Sequence, residues 1–110
     1  MAGQLRIATM SMTASYQNIL TLLNNFSGNP LGDVQQFVDG WFRVPTTAAH
    51  SVRISIASPG ATTGNDNTSN LVEVGGYLSF EYTDLALMWA KSSTSTSTLE
   101  FAASEAPGTS

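Results

Sequence analysis

Apolar and polar residues alternate with a period of two along most of this chain, and clusters of turn-forming residues interrupt the alternation. Over residues 4–12, Leu5, Ile7, Thr9 and Ser11 alternate with Arg6, Ala8, Met10 and Met12. That pattern predicts a strand, although both sets contain apolar residues and neither is marked as the buried one. Residues 34–44 carry Phe37, Val38, Trp41, Phe42 and Val44. Gly40 interrupts them, which predicts a bulge or a close backbone approach, and Pro45 ends the run. Residues 50–57 alternate most cleanly: Val52, Ile54 and Ile56 point one way, and Ser51, Arg53 and Ser55 the other. One wet face and one apolar face suit an antiparallel sheet.

One stretch breaks the period. Tyr16, Ile19, Leu20 and Leu23 stand at i, i+3, i+4 and i+7, which predicts a short helix within residues 16–25, with a strand as the rival. Ser15 is the expected cap. Gly28, Asn29, Pro30 and Asp33 then mark a loop. Residues 58–70 hold no strong apolar residue and read as a long polar loop.

The last third returns to strands. Residues 71–74 and 77–82 are expected to flank a tight Gly75-Gly76 hairpin turn, with Leu78, Phe80 and Tyr82 on one face. Thr83-Asp84 turns again, and residues 85–91 form an apolar run suited to a central strand. The Ser/Thr tract 92–97 reads as a loop or as two sides of a hairpin, and residues 98–102 form the last strand. Residues 1–3 and 103–110 are expected to be flexible termini. The fold class is therefore all-β. The chain is one domain over residues 1–110, an antiparallel β-sandwich or small jelly roll with at most one short helix.

Composition narrows the function. Only 11% of residues are charged, against roughly 25% in an average soluble domain, and Ser and Thr fill about a quarter of the positions. A net charge of −4 argues against nucleic acid as partner, because phosphate neutralisation needs clustered Lys and Arg. No apolar run approaches the ~20 residues of a membrane span. The first six residues lack the apolar stretch of a signal peptide. Cys is absent, which removes disulfides, thiol catalysis and thiolate metal sites.

Candidate chemistry is thin. His50 opens a strand with no nucleophile-elbow motif in the sequence, so a surface or interface histidine is expected. Asp66, within Asn65-Asp66-Asn67, could belong to a calcium loop, but the twelfth position from Asn65 or Asp66 holds Gly76 or Tyr77, not an acid. A solvated loop is the plainer reading. Asp33 with Asp39, or Glu73 with Glu81 on supposed neighbouring strands, could form a carboxylate pair for glycoside hydrolysis. Acidic residues on a wet sheet face are far commoner. Gly75-Gly76 lacks the Lys-Ser/Thr of a phosphate cradle. Trp41, Phe42, Tyr77, Phe80, Tyr82, Trp89 and Phe101 are the aromatic load, expected to fill the core or a subunit contact. Adjacent strand residues face opposite ways, so of Trp41 and Phe42 one belongs to the core and the other to the outer face.

The C-terminal half carries a resemblance. Val52-Arg53-Ile54-Ser55-Ile56-Ala57 precedes a Gly/Asn-rich loop and Leu71-Val72-Glu73-Val74-Gly75. Then come Tyr77-Leu78-Ser79-Phe80-Glu81-Tyr82, the pair Asp84-Leu85, and Met88-Trp89-Ala90-Lys91. This order resembles small β-sandwich virion proteins of tailed bacteriophages, of the capsid decoration (cement) or head- and tail-appendage type. In those, an Asp-Leu pair precedes a strand of the same hydrophobic-aromatic-small-Lys kind. This chain departs from them in its Ser/Thr tract after Lys91, where a Gly-containing turn is expected, and its N-terminal half has no counterpart.

The resemblance implies a non-enzymatic protein with no cofactor and no metal, bound to the major capsid protein on the outer capsid surface of a virion. It also implies self-association as a homotrimer or homodimer, and no nucleic-acid or membrane partner. Contacts are expected at Arg6, at Trp41 or Phe42, and along the first dozen residues. A receptor- or carbohydrate-binding domain of a fibre is the alternative, with its site in the 58–70 loop and the exposed aromatics.

Overall fold

The computed structural model describes residues 6–24 and 37–105. The loop around Gly28 to Asp33, the predicted strand start at residues 34–36, and residues 106–110 lie outside it. Among the described residues eight strands are formed: β1 (Arg6–Met12), β2 (Gln17–Asn18), β3 (Phe37–Arg43), β4 (Val52–Ile56), β5 (Ser69–Val72), β6 (Tyr77–Asp84), β7 (Met88–Ser92) and β8 (Ser97–Glu105). One helix, α1 (Ile19–Asn24), and two 3₁₀ turns, Asp66–Thr68 and Leu85–Leu87, complete the described chain.

The strands make two four-stranded sheets. Sheet I runs β1-β8-β3-β6 and sheet II runs β2-β7-β4-β5. The first strand pairs with the last, the second with the seventh, the third with the sixth and the fourth with the fifth, all antiparallel. The chain is thus one long antiparallel ribbon folded over on itself, the topology of a jelly roll. The β3–β8 and β4–β7 pairings close each sheet.

The core fills the space between the sheets. β1 contributes Ala8, Met10 and Met12, which settles its buried face and leaves Ile7, Thr9 and Ser11 outside. Phe42 lies at 5.2 Å from Phe80 and 5.4 Å from Phe101, ring centre to ring centre. These tilted aromatic contacts add to the area buried. Val52 and Ile54 of β4, with Met88 and Ala90 of β7, answer them from sheet II.

The stretch after β1 contains both of the predicted alternatives in series. Gln17 and Asn18 pair with Ala90 and Trp89 as β2, and the helix starts at Ile19. Its cap is Asn18, not Ser15: the Asn18 side-chain oxygen accepts from the Thr21 amide at 3.1 Å. Ile19 and Leu23, one turn apart, are fully buried. Six residues are too few for a helix to stand alone, so this packing holds it.

Several local expectations are corrected. Ser55 is buried, whereas Ile56, expected inside, is 52% exposed at the end of β4. The outer face at Ser55 is roofed by a loop, whereas Ile56 is exposed although its register partner Met88 is fully buried. Gly75-Gly76 does turn, with Gly75 at φ +86, a conformation that favours glycine. It joins β5 of sheet II to β6 of sheet I, however, and so is not a hairpin. The Ser/Thr tract is the loop of its two alternatives, and it too crosses between sheets, from β7 to β8. Thr83-Asp84 remains in β6. The turn falls at Leu85–Leu87, where the Asp84 carboxylate accepts from the Ala86 amide at 2.9 Å. Residues 103–105, expected to be flexible, continue β8, and Ala103 is buried between Arg6 and Gly40 in the register.

Gly40 fulfils both readings made of it. The β3–β6 register shifts beside it, and a Cβ on it would sit 2.1 Å from the Ala102 carbonyl oxygen.

Candidate functional site

The two outer faces of the sandwich differ. The outer face of sheet II is roofed by the polar segment that joins β4 to β5. The Asn65 amide donates to Ser55 Oγ at 3.0 Å, and Ser55 Oγ shares a 2.9 Å hydrogen bond with Thr68 Oγ1. Tyr16 donates its phenolic proton to Asp66 Oδ1 at 2.7 Å, and Lys91 Nζ reaches the same oxygen at 3.1 Å. Lys91 Nζ also stands 4.9 Å from the centre of the Tyr16 ring. Arg53 donates to Ser69 Oγ at 3.1 Å. Gly64 lies so close to Tyr16 and Trp89 that a Cβ there would approach each to 2.7 Å.

This strap has an electrostatic signature. The Tyr16 hydrogen bond, then that from Lys91, holds the Asp66 carboxyl below its ordinary range. Burial, helped by Asp66, pushes the Tyr16 phenol upward. Asp66 Oδ1 is therefore committed to Tyr16 and Lys91, and this segment acts as a fastened cover.

The outer face of sheet I carries no such cover among the described residues. Its strands place side chains in transverse rows. One row reads Ile7, Ala102, Trp41, Ser79 across β1, β8, β3 and β6. The next reads Thr9, Glu100, Arg43, Tyr77. Ile7 is 61% exposed, Trp41 38% and Tyr77 73%. Ala102, between Ile7 and Trp41, is buried. Arg43 Nε and Glu100 Oε1 are 2.9 Å apart in an ion pair with an exposed Arg43 and a half-buried Glu100, which contributes little to folding. Of the six large apolar side chains exposed among the described residues, Ile7, Trp41 and Tyr77 gather on this uncovered face, and Ile56, Leu71 and Val74 lie elsewhere.

The expected contact residues divide. Trp41 belongs to this face. Phe42 does not: it is fully buried, because alternation turns it into the aromatic core. The Arg6 backbone pairs with Ala103 at the edge of sheet I, and its side chain lies outside the described residues. Tyr77, expected in the core or a subunit contact, is on this face; Ile7, Arg43 and Glu100 were not singled out from the sequence. Their signal was the same alternation, once the register between distant strands is known.

The other candidates are scattered. The His50 carbonyl accepts a hydrogen bond from Ser97 Oγ, and its amide donates back to that oxygen at 3.3 Å. Glu73 follows β5 of sheet II and Glu81 lies on β6 of sheet I, so the two are not on neighbouring strands. Asp39 lies on β3, and Asp33 lies outside the described residues. The 58–70 segment and the exposed Trp41 and Tyr77 occupy opposite faces, so they do not form one joint sugar site. The Asp84-Leu85 pair and Trp89-Lys91, which carry the phage resemblance, form the corner and strand that cross from sheet I to sheet II.

No protein-family model matches the chain, and no curated protein matches it. A solved structure does, described as "Bacillus endospore appendages form a novel family of disulfide-linked pili". The match has a TM-score of 0.58 and 21% identity, and covers 92% of this chain and 81% of that one. It is a likeness of fold. That structure is described as disulfide-linked, whereas this sequence contains no cysteine.

Proposed function

We propose that this chain is a non-enzymatic structural protein that works by adhesion, using the open outer face of sheet I. The observation that carries this is the exposed set Ile7, Trp41 and Tyr77 around the Arg43–Glu100 pair, opposite a face partly roofed by its own strap. The fold likeness to an appendage-forming subunit supports self-association in a surface assembly. Without cysteine, any contact made by these residues is non-covalent, so many weak contacts must add up to firm holding. The specific form the sequence resemblance favours is decoration of a phage capsid, with the major capsid protein as the second partner.

The test is copy number in purified particles from the source, by quantitative mass spectrometry against the most abundant shell or fibre protein. A ratio near one, or a simple fraction such as a third, supports a coat or fibre subunit. Add-back of Trp41→Ser to stripped particles should then fail to restore that ratio. Absence from particles overturns the proposal.

A further inference from the structure

The open face is complementary to itself. In sheet I the order β1-β8-β3-β6 places β8 and β3 at the centre, with β1 and β6 outside. Consider a twofold axis lying parallel to the strands, between β8 and β3, with two such faces apposed. The axis exchanges β3 with β8 and β1 with β6. Trp41 of one copy then meets Ala102 of the other, because the two are register partners on the exchanged strands. Arg43 meets Glu100 for the same reason. Further out, Ile7 meets Ser79 and Thr9 meets Tyr77, by the shared rows.

Across both rows, every large side chain faces a small one and each charge faces its opposite. A stripe of large residues down one side, or two like charges side by side, would not have this property. The geometry points to a second copy of this chain as the occupant of the face, in a twofold dimer centred on Trp41, Ala102, Arg43 and Glu100. This deepens the adhesive reading above and rests on it. Packed sheets cross at roughly 30°, so the outer pairs drift while the central four stay apposed. At the centre the two Arg43–Glu100 pairs form a ring of four alternating charges.

The size of the face sets the strength. Four strands spaced ~4.8 Å apart and about seven residues long give roughly 20 Å by 23 Å per copy. Two copies then bury on the order of 900 Å², below the ~1,200 Å² of stable specific interfaces. The dimer is therefore weak, with dissociation at roughly 10 µM to 1 mM. It would be effective where many copies are held together.

Sedimentation equilibrium on the chain, from about 10 µM to 1 mM, tests this. The wild type should rise from 11.6 kDa toward twice that mass. R43E and E100R should each remain monomeric, since each places four like charges at the centre. An equimolar mixture of the two variants should recover the dimer, because opposite charges then face each other across the axis although like charges adjoin within each copy. A merely intramolecular ion pair cannot give that recovery. A monomeric wild type at every concentration overturns the dimer. A wild-type dimer with no recovery in the mixture also overturns it, since another face is then in use. If the wild type is monomeric but Trp41→Ser still fails to join particles, the adhesive reading survives with a different partner. Circular dichroism of each variant confirms that the fold is kept.

Discussion

Tyr16 donates a 2.7 Å hydrogen bond to the carboxylate of Asp66, fifty residues further along the chain. Lys91, on the strand between them in space, completes the contact from β7. Three segments distant in sequence thereby fix the cover of sheet II. The bond lowers the proton affinity of Asp66 in the folded state, so the folded protein binds that proton less readily than the unfolded chain does. Its stabilisation is present above the ordinary aspartate value near 3.9 and is lost as pH falls through the lower folded value. Tyr16 runs the other way: its raised value stabilises below about pH 10 and fades as pH rises through the folded value. In thermal unfolding followed by circular dichroism, the gap between wild type and Asp66→Ala should be constant from pH 5 to 8 and close below about pH 4. A gap unchanged at pH 2.5 would count against this assignment.

Two glycines should respond differently to the same methyl group. A Cβ at Gly40 meets the Ala102 carbonyl at 2.1 Å and Ala103 Cβ at 2.7 Å, with backbone on the receiving side. β3 and β8 must separate to admit it. Gly40→Ala should cost about 3 kcal/mol or more, at the upper end for overpacking. Gly60 has open space around it but a φ of +88. Gly60→Ala should cost only the left-handed backbone penalty, about 1–2 kcal/mol. Urea unfolding of both variants checks the order, and equal costs would refute it.

The strands were legible because alternation is a local property. Val52 and Ile54, or Leu78 and Phe80, announce a buried face within a few residues. Partnership was not legible. Nothing near Gly75-Gly76 or in residues 92–97 says that the chain changes sheet there, because a turn between sheets uses the same residues as a hairpin. Ser55 looked like a solvated serine, since its cover arrives from Asn65 and Thr68. The open face was half legible: the Trp41/Phe42 alternation marked one exposed aromatic. Its neighbours Ile7, Glu100 and Tyr77 come from strands up to about sixty residues away, and only the register assembles them.

Ser55 is the hinge of the cover's grip. Its hydroxyl accepts from the Asn65 amide and bonds Thr68, and it is fully buried. Removing it leaves the Asn65 backbone donor without its partner and takes one of two hydrogen bonds from Thr68 Oγ1, which keeps the Asn65 carbonyl, at a cost of about 1–3 kcal/mol. Ser55→Ala should therefore loosen the cover before it loosens the core. Hydrogen exchange should accelerate at residues 64–69 while β3 and β8 keep their protection. Uniform acceleration throughout would show that the cover and core open as one unit.

Trp41 and Phe42 are adjacent, similar in bulk, and separated by the pleat into different roles. Phe42 is fully buried within the cluster of Phe80 and Phe101, so Phe42→Ala opens a cavity that these two remaining aromatic residues must line. It should cost about 3–5 kcal/mol, a large share of the stability of a domain this size. Trp41 stands on the outer face, where truncation leaves no cavity. Trp41→Ser should change monomer stability by less than about 1 kcal/mol. Association should show the reverse ranking, because a central aromatic anchor carries much of a small interface's energy. Urea unfolding at 5 µM, where the chain is monomeric, measures the first quantity, and sedimentation near 1 mM the second. If Trp41→Ser destabilised the monomer as much as Phe42→Ala, the outer face of sheet I would be part of the core, and its role as a contact surface would fall.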